Sequence, residues 1–266
     1  MDPRLVVVGL VVGLLVGLTG VGGSSVLTPL LILTLGVKPL VAVGTDLAYS
    51  VPTKLLGALI HRRQGTVEWR VVGLLCMGGL PASLAGLGLL ALLRAHLGLD
   101  ALNAALKHGV GALLLIVAVV IVLTPWLRRR QTGRPGSTMM AAPPAPLWPR
   151  GTRGGVVALG ALVGVLVSLT SIGAGSVTVP VLYLVLPRLG LRRVVGSDVA
   201  FAALLIPTAA LGHLGMGDVN LGLSLNLLLG SLPGVFIGSK LCARLPDTWL
   251  RPALAGALLF AGTRLV

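Results

Sequence analysis

Two stretches of this chain interrupt apolar sequence with glycines and hydroxyls and then return to it. One is Gly17-Leu18-Thr19-Gly20-Val21-Gly22-Gly23-Ser24-Ser25-Val26-Leu27-Thr28-Pro29, and the other is Ser168-Leu169-Thr170-Ser171-Ile172-Gly173-Ala174-Gly175-Ser176-Val177-Thr178-Val179-Pro180. Thr19 pairs with Thr170, Gly22 with Gly173, Ser25 with Ser176 and Pro29 with Pro180. The pairing continues through Gly44 and Gly196, Asp46 and Asp198, His61 and His213, Gly65 and Gly217, Gly78 and Gly230, and Pro81 and Pro233. A chain with this pattern is built from two related halves. Paired breaks in apolar segments are the best sequence-level pointer to a transporter's binding site.

The solvent for such a chain is lipid. Hydrophobic residues make up 55% of it and charged residues only 11%, with a mean hydropathy of +1.01, and apolar runs recur from end to end. They lie at 5–19, 25–36, 40–60, 70–93, 106–127, 154–170, 176–187, 194–213, 219–241 and 249–265. The expected fold is an all-α polytopic membrane protein. The second run of each half is short for a crossing of about 20 residues, so each half is expected to hold a glycine-broken hairpin, or two crossings, followed by three transmembrane helices. The stretch 1–23 has a repeat partner beginning near Gly154 and reads as mature structure rather than a secretory leader. Cys76 and Cys242 are not equivalent in the repeat and read as core thiols, not as a disulfide or metal pair.

The net charge of +14 would suggest nucleic acid in a soluble protein. Here the basic residues cluster at the ends of apolar runs, where they set orientation, and no nucleic-acid partner is expected. Domain limits follow as 1–128 for the first repeat, 129–152 for a linker rich in Arg and Pro, and 153–266 for the second. An odd number of full crossings after each hairpin makes the two halves inverted. Placing the linker in the cytoplasm puts most Lys and Arg inside and both termini outside. The segment 61–70 carries Arg62, Arg63 and Arg70, whereas its partner at 212–218 has no basic residue except His213.

Asp46 and Lys54 are the ionisable residues placed most clearly within the apolar runs of the first half, where an unpaired charge costs a few kcal/mol or more. At about 100° per residue, Asp46, Tyr49, Ser50, Thr53 and Lys54 share one helix face. The matching face of the second half is Asp198, Phe201, Ala202, Leu205 and Ile206. The site is therefore asymmetric, with Lys54 as a fixed positive charge for an anion or, alternatively, a lysine that snorkels to an interface or is neutralised by Asp46. Asp46 and Asp198 either contact substrate or protons, cap helix N-termini, or brace the opposite hairpin. Backbone N–H groups at Gly22, Gly23, Gly173 and Gly175, with hydroxyls from Thr19, Ser24, Ser25, Thr170 and Ser176, make anion-binding geometry. Close helix packing by the glycines is the alternative. Asp46, Asp198, Ser50, Tyr49, His61 and His213 form the group assigned to coupling or bracing, the histidines being read as helix-end residues. No catalytic ordering, metal-ligand spacing or cofactor motif stands out, so an enzyme is not expected.

The two Gly-rich turns ending in proline, the Gly44-Thr45-Asp46 and Gly196-Ser197-Asp198 that follow, and the Arg-rich linker resemble the sulfite exporter TauE/SafE family over almost the whole chain outside 129–152. The resemblance implies an inner-membrane permease for small sulfur-containing anions such as sulfite or organosulfonates, with protons or sodium as candidate coupling ions. Direction of transport and oligomeric state stay open. A proton- or cation-coupled carrier using Asp46 and Asp198, and a non-transporting membrane scaffold, are the competing functions. Ser171-Ile172-Gly173-Ala174-Gly175 departs from the Gly-Gly-Gly-like run expected of the family.

Overall fold

The computed structural model describes residues 3–19, 24–132, 152–186, 189–242, 256 and 258–266, and every regular element among them is helical. The helices are α1 (Pro3–Thr19), α2 (Ser24–Leu35), α3 (Pro39–Arg63), α4 (Trp69–Thr132), α5 (Thr152–Thr170), α6 (Thr178–Val185), α7 (Leu191–Gly215) and α8 (Leu221–Cys242), with a further helical stretch at 258–265. Three stretches are long and apolar enough to cross a membrane: Trp69–Leu123 within α4, then α5 and α7. The short second run of each half becomes α2 and α6, with 12 and 8 residues. Neither can span about 30 Å of hydrocarbon at 1.5 Å per residue.

The polar stretch between 93 and 106 reads as a loop, but it is helical on both sides of one break. Gly98 takes φ 76° and ψ 167°, a conformation that side chains resist. The two arms of α4 meet again beyond it: Leu90 from the first and Leu102 and Leu106 from the second pack with Leu40 of α3. Asn103 then accepts the Leu40 backbone N–H at 3.0 Å, satisfying an otherwise free donor at the start of α3.

Three helix pairs organise the molecule: α1 with α8, the first arm of α4 with α5, and α3 with α7. With lipid outside, close backbone approach through small residues replaces hydrophobic driving force. An added Cβ at Gly9 would strike the Leu227 carbonyl, and one at Gly13 the Ser231 carbonyl. The corresponding glycines of α5, Gly160 and Gly164, meet the carbonyls of Leu75 and Gly79 in the same way. Gly230 abuts Val6 and Gly78 abuts Val157. Each contact thus recurs with the two halves exchanged. Around Phe201, Leu47, Leu75, Val163 and Leu205, the crossing of α3 and α7 forms the largest buried apolar cluster.

Candidate functional site

The Gly-Thr/Ser-Asp motifs of α3 and α7 divide their work residue by residue. Gly44 lies against the Asp218 carbonyl and Gly196 against the Thr66 carbonyl, each too closely for a side chain. The next residue receives the same loop: Thr45 Oγ1 accepts the Asn220 N–H at 3.1 Å, and Ser197 Oγ accepts the Glu68 N–H at 2.9 Å. Each half therefore seats its 64–68 or 216–220 loop on the motif of the other. The aspartates do not cap their own helices, because the N-cap positions are Lys38 and Gly190.

Both carboxylates are buried, at 0% and 1% exposure, so their partners decide what they do. Asp46 accepts from Thr28 Oγ1 at 2.7 Å, from Ser171 Oγ at 2.7 Å and, more weakly, from Ser50 Oγ at 3.4 Å. It thereby ties α2 and α3 to the turn after α5, which belongs to the other half. Ser171 sits there at φ 62°, a left-handed conformation unusual for a residue with a side chain. Asp198 is held by its own half, accepting from the Gly175 N–H at 3.1 Å and from the Thr178 side chain. Gly173 and Gly175, at φ 148° and 88°, supply the backbone that wraps this turn around it.

Lys54 lies two turns beyond Asp46 on α3, half-buried. Its charge acts on both carboxylates, most strongly among the charges on Asp198, yet among the described residues no carboxylate lies within ion-pair distance of it. One turn further on, Gly57 approaches Val199 of α7, with 3.0 Å from its Cβ direction to Val199 Cγ1. The donor set expected of the second half is mostly committed already. Thr170 Oγ1 donates to the Leu166 carbonyl at 2.7 Å and accepts the Ile172 N–H at 3.2 Å, and the Gly175 N–H is on Asp198. Ser176 differs, because its hydroxyl is buried and has no hydrogen-bond partner among the described residues. Ser24 and Ser25 are buried at the start of α2. Gly22 and Gly23 lie outside the described residues, as does the side chain of Thr19.

Of the remaining expected residues, Tyr49 is buried and hydrogen-bonded to Ser231 of α8. His61 pairs through Nδ1 with Thr66 Oγ1 at 2.8 Å near the end of α3. His213 lies in the last turn of α7, as its sequence position suggests, but not at an interface. It is fully buried, its Nε2 reaching the Ser168 carbonyl at 2.8 Å and its Nδ1 without a partner among the described residues. Cys76 is only half-buried, and Cys242 lies where side chains are not described. Sequence reasoning missed Thr28 and Ser171 as carboxylate partners. It also missed Arg94, which donates to both Asp218 oxygens at 3.2 Å and to the Met216 carbonyl at 3.0 Å. Burial pushes the Asp218 carboxyl up from the ordinary carboxylate range, and the Arg94 guanidinium pulls it back. Among the described residues no three His, Cys, Asp or Glu side chains come together.

The family described as Sulfite exporter TauE/SafE matches residues 5–265. The chain belongs to that family. Two relatives of this TauE/SafE protein come from Bacillus subtilis (strain 168). "Probable membrane transporter protein YjnA" is 38% identical over 268 residues, covering 100% of both chains. "Probable membrane transporter protein YdhB" is 26% identical over 263 residues, covering 96% of this chain and 98% of its own. No solved structure matches the chain. Family and relatives together make this TauE/SafE protein an integral membrane permease.

Proposed function

We propose that this permease is a secondary transporter of small sulfur-containing anions, such as sulfite or organosulfonates, working by alternating access around Lys54. One observation carries the reading. Among the described residues, a half-buried ammonium without an ion-pair partner and a buried hydroxyl without a hydrogen-bond partner, Ser176, belong to the elements gathered around the two aspartates. An oxyanion brings the acceptor atoms that both groups lack. The buried hydroxyl of Ser24 at the start of α2 adds a further donor on the first-half side. The family description, which names sulfite, agrees with that chemistry.

The architecture we assign is two repeats, 1–128 and 153–266, in inverted topology, joined by a cytoplasmic linker at 129–152 with both termini outside. Support comes from the contacts that recur with the halves exchanged: Gly9 on Leu227 with Gly160 on Leu75, and Gly44 on Asp218 with Gly196 on Thr66. The bias of Lys and Arg toward the linker side supports the orientation. The α3–α7 crossing is then the seam about which the halves rock, and the prolines Pro52 and Pro207 inside it weaken each helix ladder there.

The test is thermal stabilisation of the purified protein in detergent. Sulfite, thiosulfate, sulfoacetate, taurine, sulfate and methanesulfonate are compared with matched carboxylates and with sodium and lithium salts. A ligand at a hundredfold excess over its dissociation constant stabilises by about 2.7 kcal/mol. The expected result is selective stabilisation by sulfur oxyanions that disappears in a folded Lys54→Ala variant. Stabilisation by cations alone, indifferent to Lys54, moves the site to the aspartates and overturns the anion reading. Absence of any ligand effect, with no flux in vesicles, leaves a scaffold.

A further inference from the structure

Each half seats a loop on the other through the same pair of contacts, but only one of the two seats is ringed by basic side chains. In the 64–68 loop the Thr66 carbonyl lies on Gly196, and the Glu68 N–H donates to Ser197. Around it stand Arg62 and Arg63 in the last turn of α3, Arg70 in the first turn of α4, and Arg192 and Arg193 in the first turn of α7. The contacts that fix the crossing bring these helix ends together. Gly57 meets Val199 and Gly196 meets Thr66, so α3 and α7 run antiparallel and the end of one lies beside the start of the other. Ser197 Oγ donates to the Arg193 carbonyl while accepting from Glu68, which stands just before Trp69 and Arg70. The helix α5 runs parallel to the first arm of α4, with Gly160 on Leu75 and Gly164 on Gly79, which sets Arg153 along the same edge.

All six arginines are exposed, and among the described residues no carboxylate lies within ion-pair distance of any of them. Glu68 is the one acidic residue of the loop, and it is half-buried. The mirror seat shows that the fold does not need this charge. Its equivalents in the repeat are Leu214, Gly215, Gly222, Leu40 and Val41, yet its loop makes the same contacts with Gly44 and Thr45. Orientation in the membrane needs basic residues on this side, and the linker leading into α5 supplies them with Arg134 and Arg150. It does not need guanidiniums crowded at one crossing, where like charges repel.

The neighbours of the arginines decide the ligand. Leu56, Leu59, Ile60 and Arg63 recur at helical spacing, and the three apolar side chains are each 54% exposed, so Arg63 ends a stripe that faces lipid tails. Trp69 and Leu191, also exposed, stand at the starts of the neighbouring helices, where an aromatic ring sits at headgroup level. A free anion has no use for such a wall, whereas a phospholipid matches both parts of it. We propose that this edge of the α3–α7 crossing is a binding site for an anionic phospholipid. Its phosphate takes the forked donors of Arg62, Arg63, Arg192 and Arg193, and its acyl chains lie along Leu56, Leu59 and Ile60. The lipid thereby ties the end of α3 to the start of α7, one helix from each half. This site stands whatever the cargo at Lys54 is.

The experiment uses the full chain in neutral detergent. Thermal unfolding is followed with phosphatidylglycerol, with phosphatidylcholine of the same acyl chains, and with glycerol phosphate as the headgroup alone. Phosphatidylglycerol at a hundredfold excess over its dissociation constant should raise Tm by about 5–10 °C, and the other two should leave it unchanged. The rise should vanish in Arg62→Gln/Arg63→Gln/Arg192→Gln. It should persist in Lys38→Gln/Lys107→Gln/Arg264→Gln, which removes the same charge elsewhere. If the arginine variant does not fold, wild-type protein gives the second readout, a rise that shrinks as salt goes from about 0.05 M to about 0.5 M and screens the headgroup. An equal rise with phosphatidylcholine would reduce the site to apolar contact, and an equal rise with glycerol phosphate would make its ligand a free phosphate. Either result overturns the proposal, as does a rise that survives the arginine variant, disappears equally in the lysine and Arg264 variant, or ignores salt. Absence of any rise with phosphatidylglycerol overturns it as well, without touching the anion site at Lys54.

Discussion

Ser171 is held in a left-handed conformation at φ 62° while donating to a buried carboxylate at 2.7 Å. These two facts have opposite signs, and two substitutions separate them. A hydrogen bond to a charged group contributes about 1.5–3 kcal/mol, whereas a left-handed backbone costs a residue with a Cβ about 1–2 kcal/mol. Ser171→Ala loses the bond and keeps the backbone cost, so it should destabilise the protein by about 1.5–3 kcal/mol. Ser171→Gly loses the same bond and sheds most of the backbone cost. Allowing for the greater freedom of glycine in the unfolded chain, it should be more stable than Ser171→Ala by about 1 kcal/mol. For a chain of this size that difference is about 2–4 °C in Tm, measurable by thermal unfolding in detergent with the variants run side by side. Wild type should melt highest, Ser171→Gly next and Ser171→Ala lowest. If Ser171→Ala melts with wild type, the bond to Asp46 contributes nothing. If it melts at or above Ser171→Gly, the left-handed turn is not what the protein maintains in its native state.

Two other perturbations test the packing and the loop on the second half. Gly160→Val places a side chain against the Leu75 carbonyl and should cost about 1–3 kcal/mol or more as α4 and α5 separate. Gly109→Ala, with nothing within 4 Å, should be neutral or gain up to about 1 kcal/mol in helix propensity, and equal melting of the two variants would remove the close-approach argument. Arg94→Gln removes the partner of Asp218, whose carboxyl is already pushed up by burial. A folded-state pKa raised further favours the protonated folded protein, so the stability deficit of the variant should be small at acid pH and grow as pH rises through the Asp218 titration. A deficit in Tm that is the same at every pH would refute it.

The helix map was legible because lipid demands long apolar runs, and α3, α5 and α7 begin and end within a few residues of the runs that predict them. Gly98 misleads because its surroundings, with Arg94, His96 and Asp100, are polar enough to read as a loop. The helix nevertheless resumes immediately, and its arms close on Leu40. In the site, Asp46, Asp198 and Lys54 were visible as charges in apolar sequence. The work of Thr45 and Ser197 was not, since the amides they accept lie 175 and 129 residues away. His213 shows the same limit. It matches His61 in sequence, but a carbonyl on α5 and the fold around it make it a core residue.

The glycine faces of α1 also have a history within each molecule's synthesis. Gly9 and Gly13 rest on Leu227 and Ser231, near the far end of the chain. A ribosome that has delivered α1 to the membrane must therefore make nearly the whole protein before the partner of that helix exists. Until α8 emerges, a surface shaped for backbone contact faces lipid tails. Loss of the last quarter of the chain would consequently leave its first helix orphaned at the opposite end of the sequence, which makes the N-terminal segment the place where membrane quality control would meet a C-terminal defect.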